Sequence, residues 1–241
     1  MDRKTALVTG ASRGLRFTLS RLLAQTGHDL VITARGADAL ESASRSLESY
    51  GGSVLALPGD VSDPEHRRRL IEATSSVSGK LNVLINNAST LGTSPLPSMA
   101  EYPLDDLEQV LRVNLLAPLG LTQETLPLLI KGHGLVLNIS SDAAVGGYEG
   151  WGGYGASKLA LDLVSLTLAN ELRDAGVGVA SVDPGDLQTQ MHQDAFPGED
   201  ITDRPLPEST LPFWAWLLSQ KPLAISGHRF QAQADTWEIA S

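Results

Sequence analysis

Seven short apolar runs alternate with longer segments of helical periodicity along the whole chain. The runs lie near residues 4–9, 29–34, 53–58, 81–86, 134–140, 177–182 and 226–231. Each has the length of a buried strand, whereas the intervals between them place apolar residues at helical spacing. Strands that alternate with helices build right-handed βαβ units, in which helices cover both faces of a parallel sheet. The pattern therefore predicts an α/β fold with a parallel sheet of about seven strands.

The alternation continues without interruption over all 241 residues. No Pro/Gly/Ser-rich linker, low-complexity tract or repeat of solenoid period divides the chain. Single α/β domains routinely reach this length. We therefore expect residues 1–241 to form one domain, with ligands bound at the carboxyl ends of its strands.

The first apolar run leads directly into a turn that contains two glycines. Residues 5–10 are predicted to form a buried strand, and the segment from Leu15 to Gln25 a helix. Gly10 permits a tight turn, and Gly14 would let the backbone approach a pyrophosphate that the first amides of the helix bind. The residues assigned to this phosphate cradle are Gly10, Ser12, Arg13, Gly14 and Leu15. They predict a Rossmann-like, doubly wound dinucleotide-binding domain, although an ordinary strand-to-helix turn could carry the same glycines.

Tyr154 and Lys158 stand four residues apart at the start of another helical segment, so they share one face of it. A free tyrosine titrates near pH ~10 and exchanges protons poorly at neutral pH unless a neighbour favours its charged form. The ammonium of Lys158 could lower the pKa of Tyr154 in this way. An isolated pair at this spacing is more often two solvated side chains, so the hypothesis depends on the rest of the chain.

Further motifs follow one another in a definite order. They are Thr9-Gly-Ala-Ser-Arg-Gly14, Asp60-Val61, Asn86-Asn87-Ala88, Asn114, Ser140-Ser141, Tyr154-x-x-x-Lys158 and Pro184-Gly185. In these motifs, which span nearly the whole chain, the sequence resembles the classical short-chain dehydrogenase/reductase family. Ser141 precedes Tyr154 by thirteen positions, as the catalytic serine of that family typically does. The resemblance implies hydride transfer between a nicotinamide cofactor and a carbonyl or alcohol carbon.

The resemblance also implies a role for each matched residue. Tyr154 would supply or remove the substrate proton, and Lys158 would lower the pKa of Tyr154 and bind the nicotinamide ribose. Ser141 would hold the substrate oxygen, and Asn114 a proton-relay water. The cofactor contacts, besides the glycine turn, are Asp60 and Val61 beside the adenine, Asn87, Ala88, Tyr154, Lys158, Pro184, Gly185 and Thr189. Taken singly, residues such as Asp60 and Asn114 could equally be ordinary turn or core residues.

The end of the second apolar run favours NADP over NAD. An NAD enzyme usually carries a carboxylate about twenty residues beyond the glycine turn, where it binds the ribose 2′-hydroxyl. Counting from Gly14 reaches Ala34, with Arg35 beside it and Arg13 in the glycine turn. Two guanidinium groups suit a 2′-phosphate. The alternatives are that both arginines are solvated, or that Asp38 serves an NAD site.

Arg16 departs from the family pattern, which has glycine at this position. A long side chain here must either displace the helix slightly or leave along the cofactor side. On that side it would crowd the cradle or contact the phosphates, and the tight packing of the family's glycine favours crowding. Ser89 likewise replaces the usual glycine after Asn-Asn-Ala.

The amino-acid composition argues against several classes of partner and site. A formal charge of −10 without a basic stripe argues against nucleic acid. The absence of cysteine excludes disulfides and thiolate nucleophiles, and the five histidines lack metal-ligand spacing, so no metal site is assigned. Because no signal peptide precedes the first predicted strand and no apolar run reaches membrane-spanning length, we expect a soluble cytoplasmic protein without a membrane partner.

The leading hypothesis is an NADP-dependent carbonyl reductase or alcohol dehydrogenase with a small-molecule substrate. A catalytically idle cofactor-binding regulator, suggested by Arg16, and a dehydratase or epimerase on the same fold are the alternatives. Residues 186–212, which are polar and weakly periodic, are expected to form a substrate lid. The resemblance implies a homodimer or homotetramer, and the aromatic run at 212–218 could be a core helix or part of its interface.

Overall fold

Seven parallel strands form one sheet in the computed structural model, which describes residues 3–239. The strands are β1 (Lys4–Thr9), β2 (His28–Ala34), β3 (Val54–Pro58), β4 (Val83–Asn86), β5 (Leu135–Ile139), β6 (Gly178–Asp183) and β7 (Arg229–Gln231). Their order in space is β3-β2-β1-β4-β5-β6-β7, and all neighbours are parallel. The predicted Rossmann-like fold is confirmed, with strand boundaries at most three residues from those expected.

Helices cover both faces of this sheet. They are α1 (Leu15–Gln25), α2 (Ala37–Glu48), α3 (Pro64–Ser78), α4 (Leu104–Leu111), α5 (Ala117–Gly132), α6 (Ala143–Gly146), α7 (Gly152–Glu171), α8 (Gln190–Ala195), α9 (Leu211–Ser219) and α10 (Pro222–Ile225). Alternate residues of β1 point to opposite faces. Ala6 and Val8 join an apolar core with α1 and α9, whereas Leu7 joins a second core with α3 and α5. Burial on both faces explains why the strands are continuous apolar runs.

The strand order reverses between β1 and β4, at the centre of the sheet. The chain leaves β1 towards β2 on one side and leaves β4 towards β5 on the other. The loops that follow these two strands therefore diverge, and they leave a crevice at the carboxyl ends. The glycine turn after β1 and the Asn86-Asn87-Ala88 segment at the end of β4 border this crevice.

A continuous helical stretch runs from Leu104 to Gly132. A π-helical turn, Arg112–Leu116, joins α4 to α5 within it. By length and composition this stretch could cross a membrane, contrary to the expectation that no apolar segment is long enough. Half of its most apolar window is buried inside the protein, where α5 packs on the sheet. The packing of α5 in the core of the fold therefore explains why this stretch is apolar.

The aromatic run at 212–218 forms α9 and belongs to the core. The side chains of Phe213 and Trp214 are fully buried. Trp214 donates its indole N–H to the Thr210 hydroxyl at 3.0 Å, and the Phe213 ring lies 6.1 Å from that of Phe230 on β7. Of the two interpretations left open by the sequence, the core helix fits this packing.

Candidate active site

A cleft of about 1130 Å³ opens at the carboxyl ends of the strands. It is bordered by the glycine turn, the segment after β4, the segment after β5, the start of α7 and residues 183–197. Eleven residues assigned to the site from the sequence line it: Arg13, Gly14, Leu15, Arg35, Asn87, Ser141, Tyr154, Lys158, Pro184, Gly185 and Thr189. The parallel sheet brings them together because all of them follow the carboxyl ends of five of its strands, β1, β2, β4, β5 and β6.

Three other assigned residues lie in the glycine turn and in the segment after β4. Gly10 has a φ of 71°, and its carbonyl accepts the Ser12 N–H at 3.0 Å. The N–H of Ala88 donates to the Thr9 hydroxyl at 3.0 Å. Gly10, Ser12 and Ala88 do not line the cleft itself, so their direct contact with a cofactor stays a prediction.

Asp60 and Val61 lie outside this cleft, in the turn that follows β3. The carboxylate of Asp60 accepts the Ser62 N–H at 2.8 Å, and Val61 is buried. Asp60 therefore has a structural role as a turn residue in this structure. Its assignment beside an adenine stays a prediction.

Asn114 is fully buried in the π-helical turn between α4 and α5. Its amide nitrogen donates to the Thr90 carbonyl at 2.9 Å and to the Ser157 hydroxyl at 3.0 Å. Its amide oxygen accepts the Thr90 N–H at 2.9 Å and the Ser89 hydroxyl at 3.1 Å. Asn114 thus fixes the segment after β4 against α7, and a role in holding a water stays a prediction.

Tyr154 lies in the first turn of α7 with a side chain that is only 7% exposed. Its ring meets Trp151 edge to face, with centroids 5.7 Å apart. The hydroxyls of Ser89 and Ser141 lie within hydrogen-bonding reach of the Tyr154 hydroxyl. The serine that replaces a family glycine therefore contacts the candidate acid-base residue, which the sequence did not indicate.

The expected effect of Lys158 on Tyr154 is not found in this structure. Burial raises the pKa of Tyr154 to about 12, and the opposing influences are the Ser89 hydroxyl, the Arg16 cation and the Ser141 hydroxyl. The Lys158 ammonium instead donates to the Ile139 carbonyl at 2.8 Å and lies 5.5 Å from the Tyr154 ring centroid. Burial and the nearby Arg16 lower the pKa of Lys158 itself to about 7.

A partly buried ionic network contacts the Ser141 segment. Arg229 on β7 donates to the Asp162 carboxylate at 2.9 Å and to the Ser141 carbonyl at 2.8 Å. It also lies 3.4 Å from the carboxylate of Asp183, which ends β6. The Ser140 hydroxyl donates to Asp162 at 2.8 Å. These contacts connect β6, β7 and α7 beneath the cleft, and no motif in the sequence pointed to Arg229.

The segment 186–212 borders the open side of the cleft. Thr189 caps α8 by accepting the His192 N–H at 3.3 Å, and its methyl group faces Gly14. His192 is buried and packs its ring 5.0 Å from that of Phe196. Its Nδ1 lies 3.8 Å from the carboxylate of Asp186. Residues 186–197 of this segment line the cleft, and its role as a lid stays a prediction.

The cleft fits a nicotinamide dinucleotide by its own geometry. Helix α1 has no side-chain cap and no acidic residue in its first turn, so its N-terminal dipole is available to an anion. Gly14, the residue before α1, has a φ of 60° and lines the cleft. Across the cleft, the Asn87 side-chain nitrogen is buried without a hydrogen-bond partner. The phosphate of a ligand would interact favourably with the dipole of α1, and an acceptor group of the same ligand could bind the Asn87 side-chain nitrogen.

Comparison with known proteins identifies the family. The short chain dehydrogenase family model matches residues 4–200. A 3-oxoacyl-[acyl-carrier-protein] reductase of rhamnolipid biosynthesis from Pseudomonas aeruginosa is 34% identical over 195 residues, which cover 78% of this chain and 74% of that protein. Ketoacyl reductase HetN from a Nostoc species is 34% identical over 183 residues, 76% of this chain but only 63% of that protein.

A solved structure matches a larger part of this chain than these two relatives do. A short chain dehydrogenase from Shigella flexneri, crystallised with NADP, has a TM-score of 0.89 at 27% identity, and the match covers 97% of this chain and 98% of that chain. The protein therefore belongs to the short chain dehydrogenase family of oxidoreductases, whose members bind a nicotinamide cofactor. The resemblance inferred from the motifs is confirmed.

Proposed function

We propose that this protein is an NADP-dependent oxidoreductase that interconverts a carbonyl and a secondary alcohol on a small molecule. The observation that carries the proposal is the convergence of Ser141, Tyr154 and Lys158 on one side of the cleft. These three side chains come from two separate elements, the segment after β5 and α7. A hydroxyl, a phenol and a buried amine in one place are the groups needed to bind and protonate a substrate oxygen.

The hydride would be supplied or taken up by the bound nicotinamide. Tyr154 would donate the proton to the substrate oxygen, because burial keeps its pKa far above neutral and the phenol therefore protonated. Ser141 would hold the same oxygen as charge develops on it.

The preference for NADP rests on the cations at the adenosine end of the cleft. Arg13 and Arg35 both line it, and Ala34 occupies the end of β2 where an NAD enzyme usually has a carboxylate. Asp38, the residue that left NAD open, is exposed on α2 and does not line the cleft. Two arginines without that carboxylate favour a ligand with a 2′-phosphate.

Turnover of NADPH with a panel of ketones and oxo acids tests the proposal. We expect Tyr154→Phe to lose at least about 100-fold in kcat while it binds NADPH nearly as well, because only the proton donor is removed. Tyr50→Phe, which removes a phenol at the end of α2, is the matched control. Full activity of a folded Tyr154→Phe protein would rule out this acid-base assignment.

The position of Arg16 also favours a second candidate, a protein that binds the dinucleotide but does not turn it over. Arg16 lies between the glycine turn and Tyr154, where a family member normally has only glycine. NADPH binding in the absence of turnover with every carbonyl of the panel would support this regulator. Consumption of NADPH by any of them would exclude it.

A further inference from the structure

The side chain of Arg16 crosses the glycine turn instead of extending into solvent. A Cβ atom placed on Gly10 would lie 2.9 Å from Cδ and 3.3 Å from Nε of Arg16, and 3.2 Å from the Cα of Ala88. The arginine stem therefore packs flat against the turn, and its guanidinium end lines the cleft. Of the two courses that the sequence allowed, the side chain takes the cofactor side.

The Arg16 guanidinium has no carboxylate partner among residues 3–239. Its charged neighbours are instead Arg13, Arg35 and Lys158, which line the same cleft. The next arginine of α1 behaves differently, since Arg21 forms an ion pair with Glu208 at 3.3 Å. The guanidinium groups of Arg13, Arg16 and Arg35 repel one another, so an anion bound beside them would lower the free energy of the cleft.

The place of Arg16 indicates which anion it meets. Its stem lies against the turn that begins α1, the end of the cleft where the uncapped amides and helix dipole favour negative charge. Another part of the lining is apolar and aromatic and includes Trp151, Met191 and Phe196. A diphosphate therefore suits the stem of Arg16 and the start of α1, whereas the uncharged part of a substrate suits the apolar lining.

We propose that the Arg16 guanidinium binds the diphosphate of the dinucleotide, so that a charged side chain takes over from the close backbone contact of the family's glycine. This inference rests on the proposed function. Arginine matches phosphate oxygens with two parallel N–H donors and keeps its charge when partly buried. The burial that lowers the pKa of Arg16 is consistent with a cation held ready for an anionic ligand.

Titration calorimetry of the purified protein with NADPH and with NADH measures cofactor binding directly, so it tests the inference without relying on turnover. Arg16→Met keeps the stem and removes the charge, Arg16→Lys keeps a charge, and Arg16→Gly restores the family residue. We expect Arg16→Met to weaken the binding of both cofactors by about tenfold, because both carry the diphosphate. Arg16→Lys should recover part of that loss. Arg21→Met, on the same helix but outside the cleft, should bind as the wild type does.

The outcomes separate this inference from the proposed function. If the wild type binds NADPH and Arg16→Met or Arg16→Gly binds it equally well or more tightly, Arg16 merely crowds the cleft and the inference is wrong. If only Arg16→Gly binds, Arg16 blocks the cleft, and both the inference and the proposed activity of the wild type fail. Binding by none of the proteins, with folding verified by their melting curves, would overturn the cofactor assignment and the inference together.

Discussion

We expect a narrower role for Arg35 than for Arg16, because it directly follows β2, near the position proposed for a 2′-phosphate. We expect Arg35→Ala to raise the KM for NADPH by about tenfold and to leave the KM for NADH nearly unchanged, since only NADPH loses a charge-assisted contact. Arg45→Ala, which removes an exposed arginine paired with Glu41 on α2, is the control. Steady-state kinetics with both cofactors measures the ratio. Equal changes for the two cofactors would contradict the assignment of Arg35.

Lys158 links the site to the stability of the protein. Its pKa is lowered from 10.5 to about 7, first by burial and then by Arg16. Between these two values the unfolded chain binds more protons than the folded protein, so the free energy of unfolding rises with pH through this window. The destabilisation by Lys158 is therefore complete below about pH 7 and absent above about pH 10.5.

We expect Lys158→Met to raise the Tm of the ligand-free protein at about pH 7, and to raise it less at about pH 9.5, where the wild-type penalty has mostly gone. Each kcal/mol recovered corresponds to roughly 2–4 °C in a protein of this size. The variant loses the hydrogen bond to the Ile139 carbonyl at both pH values, so this loss cancels in the difference between the two changes in Tm. Calorimetry on both proteins, with Lys221→Met as an exposed control, measures the difference. A gain that stays constant or grows with pH would refute the lowered pKa.

Sequence reasoning pointed to candidate groups that the structure brings to one cleft, but not to their contacts. Ser141, Tyr154 and Lys158 could be found because their types and spacing carry the signal. The turn of Lys158 towards the Ile139 carbonyl and the course of Arg16 over Gly10 could not, because each depends on atoms of elements distant in sequence. For the same reason, the burial of Tyr154 raises its pKa where the local spacing suggested a lower one.

Among the secondary-structure elements, β7 is the shortest strand and depends on Arg229 for its attachment to α7. Replacing Arg229 by Met would leave the carboxylates of Asp162 and Asp183 buried without their cation. We expect a loss of roughly 3 kcal/mol in the free energy of unfolding, because removing one member of a buried ionic network leaves an uncompensated charge. Urea unfolding measures it.

An exposed pair provides the comparison for this change. Arg112→Met removes a partner of Glu108 on the surface and should cost less than about 1 kcal/mol. If Arg229→Met costs no more than Arg112→Met, the network does not stabilise the attachment of β7.

The elements themselves were largely predictable from the sequence. The parallel strands are buried on both faces, so each leaves a continuous apolar run that marks its position. The π-helical turn at Arg112–Leu116 leaves no such mark, because one extra residue per turn barely alters an apolar periodicity. Helices α8 and α10 were also missed, since four to six residues are too few to show a period.

At the scale of the whole molecule, α7 presents an apolar stripe on its outer face. Leu159, Leu163 and Leu166 follow helical spacing and are all exposed, Leu163 by 65%. Leu116, in the π-helical turn that packs beside α7, is exposed as well. A contiguous apolar surface of this kind marks a protein interface. We propose that it joins two copies of this chain, which would account for the homo-oligomer expected of the family.

Sedimentation velocity of the ligand-free protein tests this assembly. We expect the wild type to sediment as a dimer or tetramer and Leu163→Glu to sediment as a smaller species, because a buried carboxylate at the centre of the stripe would have no cation to pair with. Leu206→Glu adds the same charge at an exposed leucine of the 186–212 segment and should keep the wild-type mass. A monomeric wild type, or an unchanged mass for Leu163→Glu, would exclude this face as the subunit interface. Because α7 also carries Tyr154 and Lys158, dissociation should lower turnover along with the mass.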